Sequence, residues 1–249
     1  MSETRPSRTA SVAAGFGIAG PAVTLVGIGV SQAGAPAMAG FSLFQLGILF
    51  GLLALIFGLV GLFLTRGGTG GRARALTGLG LGSLMLLFVV VSASPGANAP
   101  PINDITTNLD DPPGFAPAPA GHRNSARDMG YPADWKPLVR EAYPDLVPIR
   151  MAVSPRQAYE IALAEAAALD WEITRRDGTR FEAESTTAVF RFVDDVSVRV
   201  TTDASGRAVI DLRSKSRDGR GDLGANAARI RAFSAGVRER SREGVAASS

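Results

Sequence analysis

Cysteine is absent from the sequence and histidine occurs once, at position 122. The first absence removes disulfides, thiolate zinc sites and thiol nucleophiles together. The second leaves His122 as the one imidazole, and it lies in a proline-rich stretch where a solvated role is the ordinary one. Charge is also missing, in long blocks. No Asp, Glu, Lys, Arg or His occurs from Val12 to Val30, from Met38 to Leu64 or from Ala75 to Val91. A helix of about 20 apolar residues, or as few as roughly 17, crosses a hydrocarbon core. Three transmembrane helices are therefore expected, at about 12–30, 38–64 and 75–92, within a membrane anchor over residues 1–95. Ionisable groups inside spans mark ion and proton pathways, and their lack argues against a transporter.

The leader carries Arg5 and Arg8, and the loop between the second and third runs carries Arg66, Arg72 and Arg74. The loop between the first and second, SQAGAPA, carries no charge. The positive-inside rule puts the N-terminus and the arginine-bearing loop in the cytoplasm. Three crossings of a cell inner membrane then leave everything after Val91 in the periplasm. AGAPA also offers small residues for signal cleavage, but the 19-residue apolar run before it exceeds the roughly 7–15 residues of a signal h-region. Cleavage would leave two spans and the same final location.

The pI of about 9.8 invites a nucleic-acid reading, which the distribution of charge refuses. Five of the 26 Lys and Arg precede residue 92, opposed only by Glu3, so the rest of the chain holds 21 basic and 22 acidic residues. The excess is a topology signal, and no nucleic-acid partner is expected.

Residues 96–135 are proline-rich, with seven of the chain's 15 prolines, show little periodicity, and read as a tether. If this segment instead lies across the domain, Ile102, Ile105 and Phe115 are its contacts. An exported domain follows at 136–249. Ser154 and Pro155 give a helix start, and Ala158, Ile161, Ala162, Glu165 and Leu169 fall at helical spacing with Tyr159 turned elsewhere. WEITRRD ends at the turn Asp177-Gly178. RFEAESTTAVFRFVDDVSVRVTT reads as two strands or one bent one, with Arg191 and Arg199 on its outer face. DASGR turns into AVIDLRSKS. A last helix begins near Asp222, with Leu223, Ala227, Ile230, Phe233 and Val237 as its apolar stripe. The fold class is α+β, an antiparallel sheet with two packing helices, preceded by three transmembrane helices.

The stretch RSKSRDGRGDLGANAARIRAF concentrates the candidate chemistry. Alternation puts Asp211, Arg213, Lys215 and Arg217 on the face opposite Ile210 and Leu212, with Arg199 beside Arg213 or Lys215 if the hairpin pairs so. Beyond them lie Gly219, Asp222, Asn226 and Arg229 at a helix start, whose free N–H groups favour anions. Arg199, Arg213, Lys215, Arg217, Gly219, Asp222, Asn226 and Arg229 are thus the candidate ligand-binding residues. A second reading uses the same residues structurally: Asp222 caps the helix, and Asp194, Asp195 and Asp211 neutralise the arginines.

INDITTNLDDPP, YPDLVP, FRFVDDVSVRV and DLRSKSRDGRGDLGANAARI resemble a bacterial family catalogued as domain of unknown function 1499, over roughly residues 100–240. The resemblance implies N-terminal membrane spans and an exported domain, and brings no activity. It implies that Asn103, Asp104, Thr106, Asp194, Asp195, Arg199, Arg213, Ser214, Ser216, Arg217, Gly219, Asp222, Gly224, Asn226 and Arg229 follow the family pattern. Gly221 departs from it, standing where serine is commoner.

No catalytic, cofactor or metal site is expected. Asp104, Asn108, Asp110 and Asp111 lack the glycine and terminal glutamate of a calcium loop, and Asp194 and Asp195, adjacent in a strand, point to opposite sides. The function expected is binding of an anionic envelope component or a membrane protein partner next to the lipid bilayer. The alternatives are an envelope hydrolase or transferase acting on a phosphorylated substrate, and a structural subunit of a membrane complex.

Overall fold

A computed structural model describes residues 7–66 and 70–246; Glu3 and Arg5, used above for charge asymmetry, lie outside the described residues. The chain divides into two units, residues 1–95 with 187–191, and residues 96–186 with 192–249.

In the first unit α1 (Arg8–Gln32), α2 (Ala37–Leu64) and α3 (Arg72–Ala93) run up, down and up. Each is long and apolar enough to cross a membrane. Their packing is inverted relative to a bundle in water: Ala13, Ala54 and Ala75 are buried, while Ile18, Leu25, Phe63 and Val90 face outward. Small residues at the crossings let the backbones touch. A Cβ at Gly27 would lie 2.5 Å from the Gly40 carbonyl oxygen, and one at Gly78 would lie 2.5 Å from that of Ala13. Only glycine fits there.

The second unit contains a six-stranded antiparallel sheet. Its strands are β1 (Asp104–Thr106), β2 (Ile149–Met151), β3 (Glu172–Arg176), β4 (Arg180–Thr186), β5 (Val193–Thr202) and β6 (Ala208–Ser216). The order is β1-β6-β5-β4-β3, with β2 paired to the other end of β6. The helices are α4 (Trp135–Ala142), α5 (Pro155–Ala168) and α6 (Ala225–Ala246). Ala158 and Ala162 of α5 and Ala227, Ile230, Phe233 and Val237 of α6 share one core with Phe181, Val196, Val198, Ile210 and Leu212. Trp171 stacks on Phe233, centroids 5.1 Å apart. The α+β class and the expected strands are present, and α5 opens with the Ser154–Gln157 capping box and Pro155 in its first turn.

Five details differ from the sequence reading. The proline-rich segment takes the alternative arrangement and not that of a free tether: Asp104–Thr106 adds a strand to β6, and Ile102 and Ile105 are its buried core contacts, as that alternative expected. Tyr159 is buried, its ring 6.0 Å from Phe181, because α5 is covered on more than one side. Arg191 has φ 61° in the loop after β4, so it belongs to no strand face. Leu223 is 67% exposed, with φ 51°, because the helix starts two residues later at Ala225. Arg199 stands opposite Asp211, not beside Arg213 or Lys215.

Candidate functional site

Alternation along β6 sends Leu212, Ser214 and Ser216 toward the helices and Asp211, Arg213 and Lys215 to the other face, where cross-strand register decides which charges meet. Asp104, Lys215, Asp195 and Glu184 form one row across β1, β6, β5 and β4; Thr106, Arg213, Ser197 and Glu182 form the next. Asp211 and Arg199 begin a third. Lys215 thus stands between two carboxylates, while the directly opposed carboxylates Asp195 and Glu184 share Arg217.

Every expected cation on this face is paired within the chain. Arg213 makes a bidentate pair with Asp104 (Nε–Oδ1 2.9 Å, Nη2–Oδ2 2.7 Å), and Lys215 Nζ reaches the same carboxylate at 2.9 Å. Arg213 and Asp104 side chains are 2% and 0% exposed, so this pair is shielded from water. Arg199 holds Asp211 at 2.7 Å and Asp111 at 2.9 Å. Burial presses the Arg199 pKa down, but hydrogen bonds and charge from Asp211 and Asp111 outweigh it and leave the guanidinium more firmly protonated than usual. Arg217 bridges Asp195, at 2.6 Å, and Glu184; there too burial opposes the charge and the two carboxylates prevail, raising the pKa.

Arg213 also fastens a roof. Its guanidinium donates to the carbonyl oxygens of Pro113, Met129 and Gly130 at 3.0–3.2 Å and lies 4.9 and 5.1 Å from the ring centres of Phe115 and Tyr131. The 112–131 segment is thereby held over the sheet by its own backbone. Asn124 Nδ2 donates to Asp195 and Arg127 to Ser216 O, pinning the far end.

The remaining candidates sit on the helix face. Asn226, fully buried, accepts from Ser214 Oγ and Arg229, and donates to Ser216 Oγ and Asn103 O; Arg229 continues to Asp194 at 2.6 Å. Asp222 accepts from the N–H groups of Gly224 and Asn226, both at 2.8 Å, and so occupies the donors an anion would need. Gly219 and Gly224 both have φ 81°, which glycine adopts without strain. A Cβ at Gly221 would stand 3.3 Å from Pro101 Cα, tight for the serine commoner there. The eight candidate residues therefore divide between the two faces of the sheet. They do not converge on one concavity.

A concavity does exist, and sequence reasoning missed it. Beneath residues 115–129 and against β3–β5 lies a cavity of about 540 Å³. Phe115, Pro117, Pro119 and Met129 supply apolar wall; Arg175, Glu182, Glu184, Asp195, Arg217 and His122 supply charge or polarity. His122 Nδ1 accepts from Asn124 N at 3.1 Å and Nε2 faces Glu184 at 3.7 Å, so neither ring nitrogen is turned to a substrate. The one available signal was the alternation of Glu182 and Glu184 against buried Phe181 and Ala183 in RFEAEST. Nothing in that pattern announces a roof.

Residues 104–237, more than half of the chain, match the family described as Protein of unknown function (DUF1499), and the chain belongs to that family. The match begins at Asp104, the buried partner of Arg213. No curated protein matches the chain at a significant level.

Proposed function

We propose that this member of the family is a membrane-anchored binding protein, its second unit holding a small ligand in the cavity beneath residues 115–129. The three apolar helices lie in the inner membrane with the N-terminus in the cytoplasm, and the α+β unit works on the periplasmic side. Arg8, Arg66, Arg72 and Arg74 flanking the cytoplasmic ends support that orientation. The observation that carries the binding reading is the roof: a 20-residue segment clamped through Arg213 to a buried carboxylate, with ligand-sized space left under it. An anion on Arg199, Arg213, Lys215 or Arg217 would have to displace Asp211, Asp104 or Asp195 first, which favours the cavity over the strand arginines as the ligand site.

Binding is favoured over catalysis because, among the described residues, the hydroxyls that donate to a carboxylate, Thr179 to Asp177 and Ser205 to Asp203, sit in exposed turns away from the cavity. Ser197 Oγ donates to Gly114 O at 2.8 Å, and Asp194 and Asp195 serve different ion pairs on opposite faces. The test uses the missing cysteines. A chain with one introduced thiol, Thr174→Cys in the cavity wall, should react with a membrane-impermeant maleimide in spheroplasts. Arg66→Cys, between α2 and α3, should react only after the membrane is opened. The reverse pattern overturns the orientation, and a Thr174→Cys thiol silent in both states overturns the open cavity.

A further inference from the structure

Two charges in the cavity wall have no counterpart, and they are neighbours. Among the charged side chains lining it, Arg217, Glu184 and Asp195 are tied together, with His122 beside Glu184. Glu182 accepts the N–H of Ala116 at 2.7 Å through Oε1 and makes no ion pair among the described residues. Arg175, exposed, has no carboxylate partner among the described residues. Yet Arg175 and Glu182 are register partners across β3 and β4. Directly opposed residues stand about 5 Å apart at Cβ, close enough for an ion pair that is not made.

The backbone has been altered to place them so. The β3–β4 register slips between Ile173 and Arg175. Unbroken pairing from Ile173–Ala183 would set Thr174 against Glu182 and turn Arg175 toward the core opposite buried Phe181. The bulge adds one residue, so Thr174 and Arg175 both line the cavity. Bulges that re-aim a side chain recur beside binding sites.

Resting on the cavity reading above, we propose that the ligand is a small zwitterion: a primary ammonium received by Glu182, and a phosphate at the other end of a short alkyl stem received by Arg175. Thr174 offers a hydroxyl to the acid group, and Phe115, Pro117 and Met129 cover the stem between the charges. A simple anion meets the carboxylates of Glu182, Glu184 and Asp195 in the same wall, and a simple cation leaves Arg175 unmatched. An aminoalkyl phosphate satisfies both ends, whether as a free metabolite or as the headgroup of a lipid.

Isothermal titration of the full chain in maltoside micelles tests this with four probes: O-phosphoethanolamine, ethanolamine, inorganic phosphate and short-chain dihexanoyl phosphatidylethanolamine. O-phosphoethanolamine, the short-chain lipid or both should bind at least about tenfold tighter than ethanolamine or phosphate, and which of the two binds identifies the source. Glu182→Gln keeps the acceptor for Ala116 N and removes only charge. It should weaken the zwitterion about tenfold while leaving phosphate unchanged, and Arg175→Gln should erase the preference over ethanolamine. Phosphate or ethanolamine binding as tightly as the zwitterions overturns this proposal and leaves the cavity as a ligand site. Silence from all four probes with Thr174→Cys reactive likewise overturns it. An unreactive Thr174→Cys removes the cavity reading beneath it.

Discussion

Removing the Asp104 carboxylate strands two cations at once. Arg213 and Lys215 both converge on it, the first through two hydrogen bonds, with Asp104 fully buried and Arg213 almost so. Breaking one side of a buried pair costs about 3–5 kcal/mol, mainly from the charge left without a partner. The whole stability of a domain is about 5–15 kcal/mol. For 150–250 residues each kcal/mol moves Tm by about 2–4 °C, so Asp104→Ala should lower the melting temperature by roughly 6–20 °C. Both tryptophans, Trp135 and Trp171, lie in the second unit, so tryptophan fluorescence of the full chain in micelles follows that unit without interference from the helices. A second variant isolates the pair: Asp104→Ala with Arg213→Met should fall short of the sum of the single changes by at least about 1 kcal/mol, because the buried guanidinium is then removed together with its carboxylate and only Lys215 stays stranded. A shift under about 2 °C for Asp104→Ala, or simple additivity in the double variant, would refute the claim that this pair fastens the roof.

Other consequences concern different parts of the molecule. Tyr131 has its pKa raised, first by burial and then by the Asp104 charge, against the pull of Arg213. Its phenol therefore stays protonated in the fold where free tyrosine ionises, near pH 10. The associated stability is complete below that value and is lost as pH climbs toward the folded pKa. Tyr131→Phe should leave the tyrosinate absorbance of the folded chain at about pH 10.5 unchanged; a fall of about a third or more, with three tyrosines present and Tyr143 also raised by burial, would contradict the shift. In the helical unit, Gly78→Ala presses a methyl onto the Ala13 backbone and should cost about 1–3 kcal/mol of resistance to denaturing detergent. Gly80→Ala, with open space around it, should cost little by the same measure. Asp222→Ala frees two N–H groups at the start of α6 and should destabilise the second unit by about 0.5–2 kcal/mol in urea melts.

What the sequence disclosed and what it withheld divide along one physical line. Period and punctuation report on elements whose side chains do the packing: the apolar runs became α1–α3, the Ser154–Pro155 signal became α5, and β3–β6 lie in the strand segments read from the sequence. The 107–132 segment is held by another kind of contact. Arg213 grips it by the carbonyl oxygens of Pro113, Met129 and Gly130, and backbone acceptors exist at every residue whatever its side chain. A prolyl residue gives up its N–H and keeps its carbonyl, so a proline-rich stretch loses nothing as an acceptor strip while showing no periodicity. The same limit shaped the reading of the arginines. Their outward direction was legible from alternation, but their partners were not: Asp104 lies 109 residues before Arg213, and only the antiparallel register of β1 with β6 brings them together. A one-residue change of register turns side chains to the other face, which is also how the β3 bulge turns Arg175 from the core toward Glu182. Local sequence therefore fixed which faces carry charge. The pairing between strands decided which charges are spent within the fold and which two are left over in the cavity wall.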